Sequence, residues 1–162
     1  ITCGERADRY NQKAALLLVT SDHAINLNDF GKQLEKSLFD DGKFVYYVGF
    51  DSVTGGLDAD IAATPVSPEH RKEHLRRLGE LIHILLDSGL IVITTVEQLT
   101  KDDIGLIETI VNPDFIEVVT FCDSDSCEFD PDLMIKHEDS YENIYSRLKQ
   151  ILRSRGIIYS PW

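Results

Sequence analysis

Continuous apolar segments alternate with amphipathic segments along this chain of 162 residues. The apolar runs at 14–20 and 90–95 are typical of strands that are buried on both faces. Between them, the segment 67–89 carries apolar residues at helical spacing, with Ser67 and Pro68 suited to the start of a helix. Alternation of this kind favours right-handed βαβ units. The sequence therefore predicts a three-layer α/β/α fold with a mostly parallel sheet.

The remaining elements follow from the same periodicities, with Gly42 and Gly89 as helix ends. Further strands are predicted at 43–49, 115–121 and 132–135, and further helices between residues 29 and 42, at 101–111 and from about 140 to 156. The inward positions are predicted to be Phe30, Leu34, Leu38, Leu75, Leu78, Ile82, Leu85, Ile144, Leu148 and Ile151.

The length suits one domain with a single sizeable core, predicted at 14–162. Residues 1–13 are polar and are predicted to form an N-terminal arm or linker. Because the sequence starts with Ile1 rather than Met, we expect an excised fragment of a longer protein.

The formal net charge of -12 argues against nucleic acid or an anionic membrane as the main partner, since both require a positive face. No apolar run is long enough to span a bilayer, and no signal peptide opens the chain. Three scattered cysteines do not describe a disulfide framework. These features predict a cytoplasmic protein.

In parallel sheets, ligands bind beyond the carboxyl ends of the strands. The loops expected at that edge are 20–29, 49–66, 95–101 and 121–132. Any functional site is therefore predicted there.

Three segments resemble the adenylylsulfate kinase family in consistent order and spacing: "LEKSLFDDGKFVYYVGFDSVTGGLDADI", "SPEHRKEHLRRLGELIHILLDSGLIVITT" and "DFIEVV". The resemblance covers most of residues 5–121. It implies a phosphate-loop kinase fold. It also implies an activity in which ATP and magnesium phosphorylate the 3′-hydroxyl of adenosine 5′-phosphosulfate.

The first loop departs from the family pattern, which has "TGLSGSGKST" where this chain has "TSDHAINLND". Ser21, Ala24 and Asn26 stand at glycine positions. Leu27 stands at the lysine position, and Asn28 stands at the position of the magnesium-binding hydroxyl. This stretch is therefore interpreted as a degenerate phosphate loop.

These substitutions remove the groups with which a phosphate loop binds phosphate. Glycines let backbone N–H groups turn around phosphate oxygens, and the lysine supplies charge to the β/γ-phosphates. Leu27 would instead point an uncharged branch at a polyanion, and Asn28 or Asp29 is expected to cap the following helix. The family's lid is also absent, because residues 122–132 lead almost directly into the last strand. No cofactor is therefore expected, unless the domain is an active kinase that uses ATP and magnesium.

Other family positions are retained. By resemblance, Asp51 would act as a base for the 3′-hydroxyl, but without a nucleotide site beside it the favoured interpretation is a simple turn aspartate. Arg71 and Arg77 would bind the phosphosulfate. Alternatively, Arg71, Arg76 and Arg77 pair along the helix with glutamates at i±4 spacing, namely Glu69, Glu73 and Glu80.

Metal and nucleophile patterns are weak. His70 and His74 are one helical turn apart but have no third ligand, so solvated histidines are expected. His23 has no visible triad partner. The acidic loop 123–132 lacks the glycine of a calcium loop and is predicted to be solvated. Cys122 and Cys127 are predicted to be unreactive thiols, and the role of Trp162 is left open.

We predict a catalytically degenerate adenylylsulfate-kinase-like domain with a structural or regulatory role in sulfate activation. The alternatives are an active kinase and a module that binds adenylylsulfate without phosphorylating it. The leader "ERADRYNQKAALL" resembles the linker of fusions to a sulfate adenylyltransferase subunit. The expected partner is therefore that domain or subunit, in cis or in trans, and a homodimer is left open.

Overall fold

The structure, a computed structural model, describes residues 1–23, 25–50, 68–123 and 127–159. Its five strands are β1 (Ala15–Ser21), β2 (Val45–Gly49), β3 (Ile91–Thr95), β4 (Ile116–Phe121) and β5 (Leu133–Ile135). They form one sheet in the order β2-β3-β1-β4-β5, and every neighbouring pair is parallel. The predicted parallel sheet is confirmed.

The helices described are α1 (Cys3–Tyr10), α2 (Leu27–Asp40), α3 (Pro68–Asp87), α4 (Lys101–Glu108) and α5 (Tyr141–Ser154). A short 3₁₀ turn at Pro113–Phe115 precedes β4. Buried side chains of α2 and α5 pack on one face of the sheet, and those of α3 and α4 pack on the other. None of the described helices is both long and apolar enough to cross a lipid bilayer.

The central strand β1 is buried at all seven positions. Because side chains alternate along a strand, Leu17 and Val19 face α2 and α5, whereas Leu16 and Leu18 face α3 and α4. A continuous apolar run is what two covered faces require.

Two of the predicted inward positions, Leu85 and Ile151, are wrong by one residue. On α3, Leu86 is buried and Leu85 is only half-buried. On α5, Leu152 is buried and Ile151 is only half-buried. Adjacent helical residues are 100° apart, so an apolar pair at the edge of a stripe does not itself specify which member points inward.

The N-terminal segment, predicted as an arm or linker, contains the helix α1. A capping box between Thr2 and Glu5 begins α1, and the ring of Tyr10 lies 4.6 Å from that of Phe44. The buried Gln12 side chain donates to the carbonyls of Phe44 and Gly89 at 2.8 and 3.1 Å. The segment is thereby attached to the amino ends of β2 and β3.

Candidate functional site

The carboxyl ends of β2 and β3 and the first turn of α2 surround a cleft of about 230 Å³. This is the edge where parallel sheets place their ligands. The described lining consists of Leu27, Asn28, Phe50, Arg71, Thr95 and Glu97.

The turn after β1 is held by its own side chains. Ser21 Oγ donates to the carbonyl of His23 at 2.7 Å and accepts from its N–H at 3.2 Å. Asp22 Oδ1 lies 2.6 Å from His23 Nδ1, and this contact holds the pKa of Asp22 below its usual value. Ala24 lies outside the described residues.

Asn26 caps the N-terminus of α2. Its Oδ1 accepts from the backbone N–H of Asp29 at 3.1 Å, and its Nδ2 donates to the Asp29 carboxylate at 2.8 Å. The expected cap at Asn28 or Asp29 is wrong, because the helix already begins at Leu27. A carboxylate and an amide oxygen now occupy the N-terminus that a phosphate loop keeps open for an anion.

Leu27, which only the resemblance places at the family's lysine position, is 3% exposed and belongs to the core beneath α2. It packs in the same hydrophobic cluster as Phe30 and Leu34. Leu27 therefore contributes apolar contacts to the fold while also lining the cleft.

Asn28 is hydrogen-bonded to the sheet. Its Oδ1 accepts from the hydroxyl of Tyr47 at 2.7 Å, and that hydroxyl lies 2.7 Å from Thr95 Oγ1. Thr95 Oγ1 is also 3.4 Å from Asn28 Oδ1. The three side chains close a polar triangle between α2, β2 and β3.

The Tyr47 ring fills the space beside the first turns of α2. A Cβ added at Gly31 would lie 2.4 Å from this ring, so the ring rests directly on the helix backbone. Sequence reasoning assigned no role to Tyr47 or Thr95. The sequence signal that could have identified them is that each is a polar side chain near the carboxyl end of a predicted strand.

Arg71 links α3 to α4. Its Nη2 lies 3.0 Å from Asp103 Oδ2 and 3.4 Å from the carbonyls of Glu97 and Gln98. Burial would raise the pKa of Asp103, but hydrogen bonds from the Thr100 backbone and from Arg71 hold it below its usual value. Arg71 lines the cleft with its guanidinium already engaged.

Arg76 and Arg77 both pair with Glu73. Arg77 Nε lies 2.9 Å from Glu73 Oε1, and Arg76 contacts Glu73 and Glu80 at 2.7 Å each. Hydrogen bonds from Arg76 and then Arg77 lower the pKa of Glu73 to about 2. This is ion pairing along the exposed face of α3.

The histidine prediction is wrong for His74. This side chain is 2% exposed and meets Phe50 edge to face, with the ring centroids 5.9 Å apart. Across the residues that the structure describes, no cluster of three or more His, Cys, Asp or Glu side chains could hold a metal ion. Asp51, the vestigial base candidate, and Trp162 lie outside the described residues.

Cys122 and Cys127 both line a second cavity of about 380 Å³ at the carboxyl ends of β1 and β4. Cys122 is 2% exposed. Burial, followed by the neighbouring Cys122 thiol, raises the pKa of Cys127 to about 11. A raised pKa makes the Cys127 thiol a poor nucleophile. In the acidic loop, Asp123 accepts from the backbone N–H of His137 at 2.8 Å.

The adenylylsulphate kinase family model matches residues 15–143. The chain is 31% identical over 129 residues to the adenylyl-sulfate kinase of Staphylococcus epidermidis, covering 79% of this chain and 63% of the relative. It is 32% identical over 131 residues to that of Oceanobacillus iheyensis, covering 78% and 64%.

The chain belongs to the adenylylsulphate kinase family. It spans a little under two thirds of the length of these curated relatives. Its fold is similar to the Mycobacterium tuberculosis APS kinase CysC Cys556Ala mutant, with a TM-score of 0.74, 21% identity, and coverage of 88% of this chain and 99% of that one. The same kinase in complex with AMPPNP and APS gives a TM-score of 0.73 at 17% identity, with 88% of this chain covered and 99% of that one. These structures share the predicted phosphate-loop kinase fold.

Proposed function

We propose that this domain is a catalytically degenerate member of its family with a structural or regulatory role in sulfate activation. It keeps the α/β scaffold but does not use Mg·ATP. Its partner is a sulfate adenylyltransferase domain or subunit, in cis or in trans, as the leader sequence implies.

The main support for this proposal is that two neighbouring side chains, Leu27 and Asn28, are engaged in the fold. At the position of the family's lysine, Leu27 is buried in the core. At the position of the magnesium-binding hydroxyl, Asn28 is hydrogen-bonded to Tyr47. Neither group suits a triphosphate with its magnesium ion, because phosphate loops work through a lysine charge and a hydroxyl ligand.

The surrounding charges support the same proposal. The described lining of the cleft holds one cation, Arg71, which pairs with Asp103, and one exposed carboxylate, Glu97. Asp22 in the turn after β1 and Asp29 in the first turn of α2 add two more carboxylates. A polyanion approaching this edge meets a net negative surface, which opposes binding.

The short connection from β4 to β5 is a second line of support. Residues 122–132 span it, whereas the family carries a lid there by resemblance. A kinase lid excludes water from the transferring phosphoryl group, so its absence removes an independent part of the catalytic machinery.

The relatives' names favour one competing function. Both curated relatives described above are adenylyl-sulfate kinases. An active kinase using ATP and magnesium is therefore the second candidate. Arg71 lines the cleft, which keeps a module that binds adenylylsulfate without phosphorylating it as a variant of our proposal.

A coupled ADP-release assay with Mg·ATP and adenylylsulfate separates these functions. The Staphylococcus epidermidis adenylyl-sulfate kinase serves as positive control. We expect no turnover above background from this domain. Adenylylsulfate-dependent ADP release at a rate comparable to the control would refute the proposal and establish the active kinase.

A further inference from the structure

The two faces of β4 and β5 are covered unequally. On one face, Val119, Leu133 and Ile135 are at most 5% exposed and pack in the same core as α5. On the other face, Val118 and Thr120 are buried, whereas Ile116 and Met134 at the edge are only half-buried. Parallel sheets normally carry helices on both faces, so this corner of the second layer is incomplete among the described elements.

A groove of about 860 Å³ occupies this corner. It lies between α4 and the exposed sides of β4 and β5, and the loop 127–132 borders it. Its floor is apolar, with Ile104 from α4, Val118 from β4 and Met134 from β5.

Gly105 gives the groove a specific feature. It lies inside α4 and lines the groove, and a Cβ added to it would meet nothing within 4 Å. A glycine inside a helix is destabilising relative to alanine. By contrast, a Cβ at Gly79 on α3 would lie 3.1 Å from Ile110, so a neighbour accounts for that glycine. At Gly105 the bare helix backbone is open to close approach by another chain.

The rim of the groove is mainly acidic. Glu108, Glu128 and Asp130 line it together with one cation, Lys101. The whole chain carries a formal charge of -12. A second copy would bring the same negative charge to the rim, whereas a partner with Lys or Arg beside an apolar stripe would complement it.

We propose that this groove docks a basic amphipathic α-helix of a partner protein. The helix lays its apolar stripe on the half-buried Ile116 and Met134, crosses α4 closely at Gly105, and places its cations near Glu108 and Glu128. A helix fits better than a strand because the groove lies on a sheet face, where parallel sheets carry helices. This proposal rests on the proposed function, because the groove would be the surface on which the partner in sulfate activation docks.

The probe is a synthetic 18-residue peptide with leucines at i, i+3, i+4 and i+7 and lysines elsewhere. A second peptide has the same composition in scrambled order, and a third replaces lysine by glutamate. Binding to the full chain is measured by fluorescence anisotropy. We expect the basic amphipathic peptide to bind at least tenfold more tightly than either of the others.

Two leucine substitutions locate the site. Gly105→Leu fills the groove and should weaken binding at least tenfold. Gly4→Leu is the matched control, since a Cβ there meets only Thr2 Oγ1 at 3.7 Å. It lies on α1, near the opposite edge of the sheet, and should leave binding unchanged. Glu108→Lys tests the rim without filling the groove and should also weaken binding.

Absence of binding, equal binding of the scrambled peptide, or insensitivity to both Gly105→Leu and Glu108→Lys would overturn the proposal. A dimer in analytical ultracentrifugation that Gly105→Leu dissociates would assign the groove to a second copy and also overturn it. The proposed function fails separately, through ADP release in the kinase assay, which does not depend on the groove.

Discussion

The hydroxyl of Tyr47 lies 2.7 Å from Oδ1 of Asn28 and joins the edge strand β2 to the first turn of α2. By resemblance to the family motif, Asn28 stands where phosphate-loop proteins have the hydroxyl residue that holds magnesium. In this chain Asn28 instead stabilises the fold through its hydrogen bond to Tyr47.

Removing the Tyr47 hydroxyl should destabilise the domain. Tyr47→Phe deletes the donor to Asn28 and the contact with Thr95, so we expect a loss of about 1 kcal/mol in the free energy of unfolding. Urea denaturation measures it. Tyr46→Phe, on the exposed neighbouring tyrosine, is the control and should change stability by only a few tenths. Equal effects of the two changes would contradict the role assigned to Tyr47.

Two glycine-to-alanine substitutions should change the free energy of unfolding in opposite directions. Gly31→Ala places a Cβ 2.4 Å from the Tyr47 ring and should cost about 1–3 kcal/mol through overpacking. Gly105→Ala meets open space and should stabilise α4 by up to about 1 kcal/mol. Thermal unfolding of both variants provides the measurement. A stabilising Gly31→Ala would show that the ring does not rest on α2.

The ion pair between Arg71 and Asp103 should contribute a larger coupling energy to stability than an exposed ion pair does. Their side chains are 29% and 11% exposed, against 43% and 58% for Arg76 and Glu80. A double-mutant cycle on Arg71→Ala and Asp103→Ala should give a coupling energy of about 1 kcal/mol, and the cycle on Arg76 and Glu80 about half of that or less. Identical coupling energies would mean that burial does not strengthen the first pair.

Glu117 should make stability depend on pH. Burial, and then the neighbouring Asp132, raise the pKa of this carboxyl from 4.5 to about 7, while Arg155 lies 3.6 Å away. Because the folded state holds the proton more tightly, the contribution of Glu117 is present below pH 4.5 and is lost as pH rises through 7.

Glu117→Gln removes this dependence. Relative to the wild type, the variant should gain about 3 kcal/mol as the pH of the unfolding experiment is raised from 4 to 8. Urea denaturation across that range provides the measurement. Glu108→Gln controls for the loss of one negative charge at the surface. A wild-type advantage that grew with pH would reverse the sign and contradict this account.

Much of the fold could be predicted because the signals are local. The two-sided apolar runs specified β1 and β3, and Gly42 and Gly89, predicted as helix ends, both have positive φ, 81° and 91°. The helix α1 was missed because it is short, mostly polar and has no buried residue.

The site was less predictable because its contacts join residues far apart in sequence. Tyr47 and Thr95 meet across 48 positions, and Arg71 and Asp103 across 32. Neither contact follows from helix or strand periodicity. The burial of His74 against Phe50 likewise depends on how α3 is oriented over the sheet, which no local pattern specifies.

The central claim is that this cleft does not hold a nucleoside triphosphate. Isothermal titration of the chain with Mg·ATP tests it most directly, with the Staphylococcus epidermidis adenylyl-sulfate kinase titrated in parallel. We predict no saturable heat, corresponding to a Kd weaker than about 1 mM. Saturable binding in the micromolar range would contradict the account.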